Sequence, residues 1–228
     1  MSGSPPLFER VGLCRPPLLT AALTVFTGAV SVWGLVSPTA LDALQRTPAA
    51  GHGEVWRWLS SLVVQDGGVL GTASNLIFLG LLGTAAEQVV GRVAMTVCYL
   101  VAGLAGQVAG VLWQPVGGGN SVAVCGLAGI VSWSLVEGNM PRWAGSALAL
   151  WIGALLATWW PPLIAVGVIG AGLDRAMLMA RPAIRVPVAV GALAVVAVVL
   201  VAVGNVHGLA LAVGTVVGAV PARRRQVS

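Results

Sequence analysis

The chain has 228 residues, of which 57% are apolar and only 8% carry a charge. A soluble domain of this length needs far more charged surface, so the composition is that of a membrane protein. The net charge of +5 comes entirely from arginine, dispersed singly or in short clusters between apolar stretches. That placement is a topology signal rather than a nucleic-acid footprint. The apolar stretches recur to the C-terminus, unlike the single short core of a signal peptide. Arginine without lysine, beside abundant alanine, valine and glycine, is also the usage of a GC-rich bacterial genome.

A bilayer is crossed by about 17 to 25 mostly apolar residues. In chain order, the first such run is 17–36. A polar segment, 37–69, follows and is too long for a tight turn. The second and third runs are 70–90 and 93–113. The glycine run Gly117, Gly118 and Gly119 leads into a fourth that ends near Glu137. The fifth, 143–160, is broken by Pro161 and Pro162, and a sixth continues to 180. The seventh is 186–204 and the eighth 206–220. The expected organisation is a cytoplasmic N-terminus (1–16), one transmembrane domain (17–220) and a basic cytoplasmic tail (221–228) that contacts anionic lipid. The expected fold is all-α, a polytopic helix bundle.

Charge tests this layout. With a cytoplasmic N-terminus, Arg10, Arg15, Arg92, Arg142, Arg175, Arg181, Arg185, Arg223, Arg224 and Arg225 fall inside, and only Arg46 and Arg57 outside. The positive-inside rule then requires an even number of spans with both ends inside. Eight is preferred to six because the arginines from Arg175 to Arg185 would need an aqueous face. The expected location is the plasma membrane, the inner membrane in a bacterium.

The cysteines Cys14, Cys98 and Cys125 and the histidines His52 and His207 show no metal-ligand spacing, so neither a metal nor a cofactor is expected. The glycine run lacks the lysine of a phosphate-binding loop. Ser121, Asn75 and His207 stand out because each falls near the outer end of a span. Polar side chains at membrane depth are candidates for function. Ser121, Cys125, Ala128 and Ser132 share one helical face, and His207, Gly214 and Gly218 share another. Gly214 and Gly218 form a small-xxx-small pair that lets helix backbones approach closely. Two such slender faces can pack with Ser121 and His207 at their outer ends. A serine becomes a nucleophile when a neutral imidazole takes its proton. No acid is obviously placed to orient His207, so the expectation is a Ser–His dyad. The Asn75 amide and the backbone N–H groups at Asn120 and Ser121 are candidate oxyanion donors, and Gly119 lets that backbone turn tightly. The plainer readings are a helix-capping Ser121, a solvated or packing His207 and an Asn75 that bonds a neighbouring helix.

These residues carry a resemblance. Gly119-Asn120-Ser121-Val122-Ala123-Val124-Cys125-Gly126-Leu127-Ala128-Gly129 resembles the Gly-x-Ser motif and small-residue run that open the fourth span of the rhomboid intramembrane serine proteases. Asn75 to Leu79 with Gly83, Glu87 and Gly91, the run from Tyr99 to Gly106, the Trp56-Arg57 pair, and His207 with Gly214 are similar to further motifs of that family. The resemblance covers 54–147 and 204–220. It implies a six-helix core and cleavage of a transmembrane protein substrate near the outer face. Ser121 would be the nucleophile, His207 the base, and Asn75, Asn120 and Gly119 would stabilise the transition state. The substrate would enter laterally from the lipid bilayer. The family pattern differs at Val122, where glycine is usual, at Gly71, where histidine is frequent, at Cys125, often aromatic, and at Ala210, the first glycine of the histidine motif. Two extra spans before the last helix are also unusual. The alternatives are a catalytically inactive rhomboid-like protein that binds membrane proteins, and a small transporter or channel.

Overall fold

A computed structural model describes residue 9 and residues 11–137 and 139–226, with side chains as far as Val220. Arg10 and the side chains of Arg223, Arg224 and Arg225 lie outside the described residues, so their assignment to the inner side is not addressed by it.

The described residues fold almost entirely into helices. These are α1 (Leu18–Val36), α2 (Pro38–Leu44), α3 (Arg57–Ser60), α4 (Gly68–Trp113), α5 (Ser121–Trp133), α6 (Ala144–Ala157), α7 (Ile164–Ala180), α8 (Arg185–Ala202) and α9 (Val206–Gln226). By length and composition, four helical stretches can cross a membrane: α1, α4, Pro161–Ala180 and Pro182–Ala202. The apolar helices α5, α6 and 206–220 are shorter. Helix α4 is two helices in one, because Gly91 takes φ 79° and ψ 173° within it. That left-handed φ suits glycine, and it reverses the chain between the second and third apolar runs without a loop. Counting α4 twice, eight helical rods form the polytopic bundle.

Two boundaries differ from the sequence expectation. The fourth run ends at Trp133 rather than near Glu137, where Ser134 and Glu137 form successive turns. The fifth ends at Ala157, ahead of the Pro161–Leu163 turn.

Helix α5 is the axis of the core. Every residue from Val122 to Ser132 is buried, packed between the second limb of α4 and α9. Small residues set these distances. A Cβ on Gly126 would strike the Cys98 carbonyl of α4, and one on Gly129 would strike the Gly214 carbonyl of α9. A Cβ on Gly218 would lie 2.5 Å from the Gly129 carbonyl carbon. Close backbone approach through small residues is the usual means of association for helices in lipid.

The segment before α1 and the turns after α5 meet α4 near Gly91, at one end of the bundle. Arg15 Nη2 donates to the Glu87 carbonyl at 2.5 Å and Asn139 Nδ2 to the Gln88 carbonyl at 3.2 Å. The buried Glu87 carboxylate accepts from Thr20 N at 2.8 Å and from Arg92 Nε at 3.1 Å.

The pair α7–α8 joins this core through the buried Leu193, Ala197 and Leu200 of α8, and through ion and glycine contacts. Gly153 of α6 touches Gly167 of α7, with a Cβ on Gly153 only 2.5 Å from the Gly167 Cα. Arg185 Nη2 bonds Asp174 Oδ1 at 2.7 Å, and Arg185 Nη1 donates to the Leu135 carbonyl at 2.7 Å. Arg185 was expected to face water; its residue exposure is 3%, and its charge is met by Asp174 instead. Arg46, expected outside, is likewise buried at 3% exposure.

Candidate functional site

At the opposite end, the polar segment 37–69 folds over the loop that precedes α5. Arg46 and Gly117 form an antiparallel bridge, Arg46 N to Gly117 O at 2.8 Å and Gly117 N to Arg46 O at 3.1 Å. The Arg46 guanidinium donates to Gln107 Oε1 and to the Gln114 carbonyl. Burial depresses the Arg46 pKa, and the nearby Asp66 carboxylate partly offsets this. Asp66 Oδ2 accepts from Gly118 N at 3.0 Å, and the Ser61 carbonyl accepts from Gly119 N at 2.8 Å. The glycine run is therefore held on both sides, and a Cβ at Gly118 would meet Val64 at 2.9 Å.

This clamp delivers Ser121 to the first position of α5. The N-cap is Asn120, which makes no side-chain capping bond. The Ser121 hydroxyl does not cap the helix. It bonds His207 Nε2 across the α5–α9 interface at 2.8 Å. Behind the ring, Asn205 Oδ1 accepts from His207 N at 2.9 Å and lies 2.8 Å from His207 Nδ1. A backbone N–H can only donate, so it fixes which end of the Asn205 amide faces His207. The same oxygen must then accept from Nδ1–H, which leaves Nε2 as the unprotonated nitrogen facing Ser121.

Asn75, on the first limb of α4, belongs to the same group. Its Nδ2 donates to Gln65 Oε1 at 2.7 Å, and Gln65 Nε2 donates to Asn120 Oδ1 at 2.7 Å. Asn120 is fully buried, and neither its Nδ2 nor the nearby Tyr99 hydroxyl has a hydrogen-bond partner among the described residues. Among the described residues the second Asn75 N–H has no acceptor. The backbone N–H groups of Asn120 and Ser121 have no backbone acceptor among the described residues. Free N–H groups at a helix start carry partial positive charge. The Gly119 N–H differs: it is committed to Ser61, so it is not a free donor.

These groups line an open cleft of about 870 Å³ between the first limb of α4 and α6. Its walls are apolar, with Leu70 and Phe78 on one side and Trp151, Leu155 and Trp159 on the other. Ser121, Asn75, Arg46 and His207 form its polar floor. Among the described residues no cluster of His, Cys, Asp or Glu could hold a metal ion.

A family model described as Rhomboid domain matches residues 52–174, more than half of the 228-residue chain. The chain belongs to the rhomboid family. The matched residues of this rhomboid protein include Asn75 and Ser121 and end before His207, so the placement of His207 beside Ser121 rests on the structure. No individually curated protein matches the chain.

Three residues of the rhomboid site were not singled out from sequence: Gln65, Asn205 and Arg46. Asn205 carried a signal, since asparagine just before a helix is a preferred cap. The departures from the family pattern are accommodated. Val122 packs on Gly106, whose Cβ position would lie 2.7 Å from the Val122 Cβ. Cys125 Sγ sits under the site, 3.5 Å from the Ser121 carbonyl and 3.9 Å from that of His207. Gly71 faces the cleft with nothing within 4 Å of its Cβ direction.

Proposed function

We propose that the protein is an intramembrane serine endopeptidase that cleaves transmembrane protein substrates near the outer membrane face. The observation that carries this reading is the 2.8 Å contact of Ser121 Oγ with His207 Nε2 on the floor of an open, apolar-walled cleft. In the reaction, Nε2 takes the Ser121 proton as Oγ attacks the peptide carbonyl, and the imidazolium later protonates the leaving amine. A water molecule, deprotonated by the same nitrogen, then releases the acyl group from Ser121. The second Asn75 N–H and the Ser121 backbone N–H are the donors for the tetrahedral oxyanion, aided by the positive start of α5.

Depth supports an intramembrane site. Thirteen helical residues span about 20 Å, against a hydrocarbon core of about 30 Å. Helix α5, at 13 residues, is therefore too short to cross that core alone, which supports a site sunk below the membrane surface under the loops that precede it. Arg15 and Arg92 meet beside Glu87, away from the site, and under the positive-inside rule this supports a cytoplasmic placement of that end with the site external. Both termini are then cytoplasmic, and in a bacterium the membrane is the inner one. A substrate helix enters sideways between α4 and α6 and unwinds over Ser121.

Reconstitution with a model transmembrane substrate tests the assignment. Cleavage is expected from the natural protein and lost in Ser121→Ala and His207→Ala. Persistence in both variants would sink it. An inactive, substrate-binding rhomboid protein is the second reading, favoured by Gly71, which brings no side chain to the cleft where the family often supplies histidine. Under that reading the natural protein binds the substrate and leaves it intact.

A further inference from the structure

We infer that Asn205 is a positioning residue of the reaction, converting the Ser121–His207 dyad into a Ser–His–Asn arrangement. The inference rests on the proteolytic reading and deepens it. A single oxygen, Asn205 Oδ1, accepts from the His207 backbone N–H at 2.9 Å and from Nδ1 at 2.8 Å. The first bond caps α9. The second holds the ring at one χ2 and one tautomer, with Nε2 toward Ser121. A histidine free at Nδ1 divides its time between two tautomers and several ring angles, and only one combination accepts the serine proton. The Asn205 carbonyl dipole also stabilises Nδ1–H when the ring becomes an imidazolium. Asn205 touches neither Ser121 nor the reacting carbonyl, so it acts through His207.

The surroundings supply no competing partner for Nδ1. Helix α5 presents Ser121 and the Cys125 thiol, and α4 presents Asn75 and Gln107. The covering loop brings Arg46 and Asp66 to the same cleft. Helix α8 has no titratable residue from 186 to 202, and α6 has none at all. An acid at position 205 would be the only carboxylate against the ring.

The two roles of Asn205 separate by substitution. Serine is also a good N-cap but is too short to reach Nδ1. Aspartate keeps both bonds and adds a charge that favours the imidazolium. The probe is a fluorophosphonate, with the rate of labelling at Ser121 followed against pH in detergent-solubilised full-length protein and thermal stability measured in parallel. We expect Asn205→Ser to fold with near-natural stability and to label about tenfold more slowly, the worth of one hydrogen bond to the reacting base. Asn205→Asp is expected to regain much of the rate, with its acid limb about one pH unit higher. Natural rate and pH profile in Asn205→Ser would overturn the inference while leaving the dyad standing. Failure of the natural protein to label at Ser121 would overturn both.

Discussion

Gly129 of α5 lies directly against the Gly214 carbonyl of α9, with no space for a side chain on either residue. The contact sets the separation of the two helices that carry Ser121 and His207. The geometry of the Ser121–His207 pair is thus fixed two helical turns below it, by residues that touch neither side chain. Gly214→Ala puts a methyl group onto the Cys125 carbonyl and forces the helices apart. The expected cost is about 1–3 kcal/mol of stability, read as a lower unfolding temperature. A displacement near 1 Å at the dyad costs about 100-fold in rate, so Ser121 labelling should fall by that order in the folded fraction.

Asn75 is expected to act on the transition state rather than on substrate binding. Asn75→Ala should lower kcat by about 10²–10³, the usual effect of removing one oxyanion donor, with KM little changed. Because Asn75 also bonds Gln65, the control is Gln65→Ala, which removes that bond while leaving the Asn75 amide in place. Its loss should be several-fold smaller. Equal losses would assign Asn75 a structural role. Steady-state cleavage of a model transmembrane substrate distinguishes the two.

Val122 stands where the family usually has glycine, and its side chain fills the groove at Gly106 and Ala210. Val122→Gly would empty a buried site and weaken α5. The expected destabilisation is about 2–3 kcal/mol, combining a lost buried side chain with the helix cost of glycine. Val122 also lines the cleft, but at 4% exposure its side chain is held mainly by the contact with Gly106, so little gain in activity is expected. A thermal melt and a labelling rate check both halves.

The Asp174–Arg185 pair is buried on both sides, at 4% and 3% exposure. Removing one partner leaves an unpaired charge at membrane depth. Arg185→Met is expected to cost about 3–5 kcal/mol. The double variant Asp174→Leu with Arg185→Met should recover much of that loss. Unfolding in mixed detergent provides the comparison, and an additive double variant would contradict the coupling.

Much of the bundle was legible because lipid simplifies the code. Apolar run length places α1, both limbs of α4 and the last helices, and Pro161 marks a break among them. The small-residue faces of α5 and α9 were also readable, since close packing in lipid selects glycine. What composition could not show was charge compensated in three dimensions. Arg185 reads as a water-facing arginine until Asp174 and the Leu135 carbonyl are placed around it. Arg46 reads as a loop charge until Gln107 and Gln114 fold onto it. In the site, Ser121, Asn75 and His207 were visible as polar residues in apolar runs. Gln65 was not, since it lies in a polar stretch where such residues are ordinary, and Asn205 read only as a helix cap between two apolar runs. Their roles arise only when Gln65 reaches Asn120, 55 positions away, and when Asn205 turns back on His207.

Proteolysis at this site requires Ser121 to be a nucleophile activated by His207. The most direct measurement is the attachment site and rate of a fluorophosphonate in the natural protein and in His207→Ala. A single adduct at Ser121 is expected, with a rate reduced by about 10²–10⁴ without the base. An unlabelled Ser121 in folded natural protein, or an unchanged rate in His207→Ala, would contradict it.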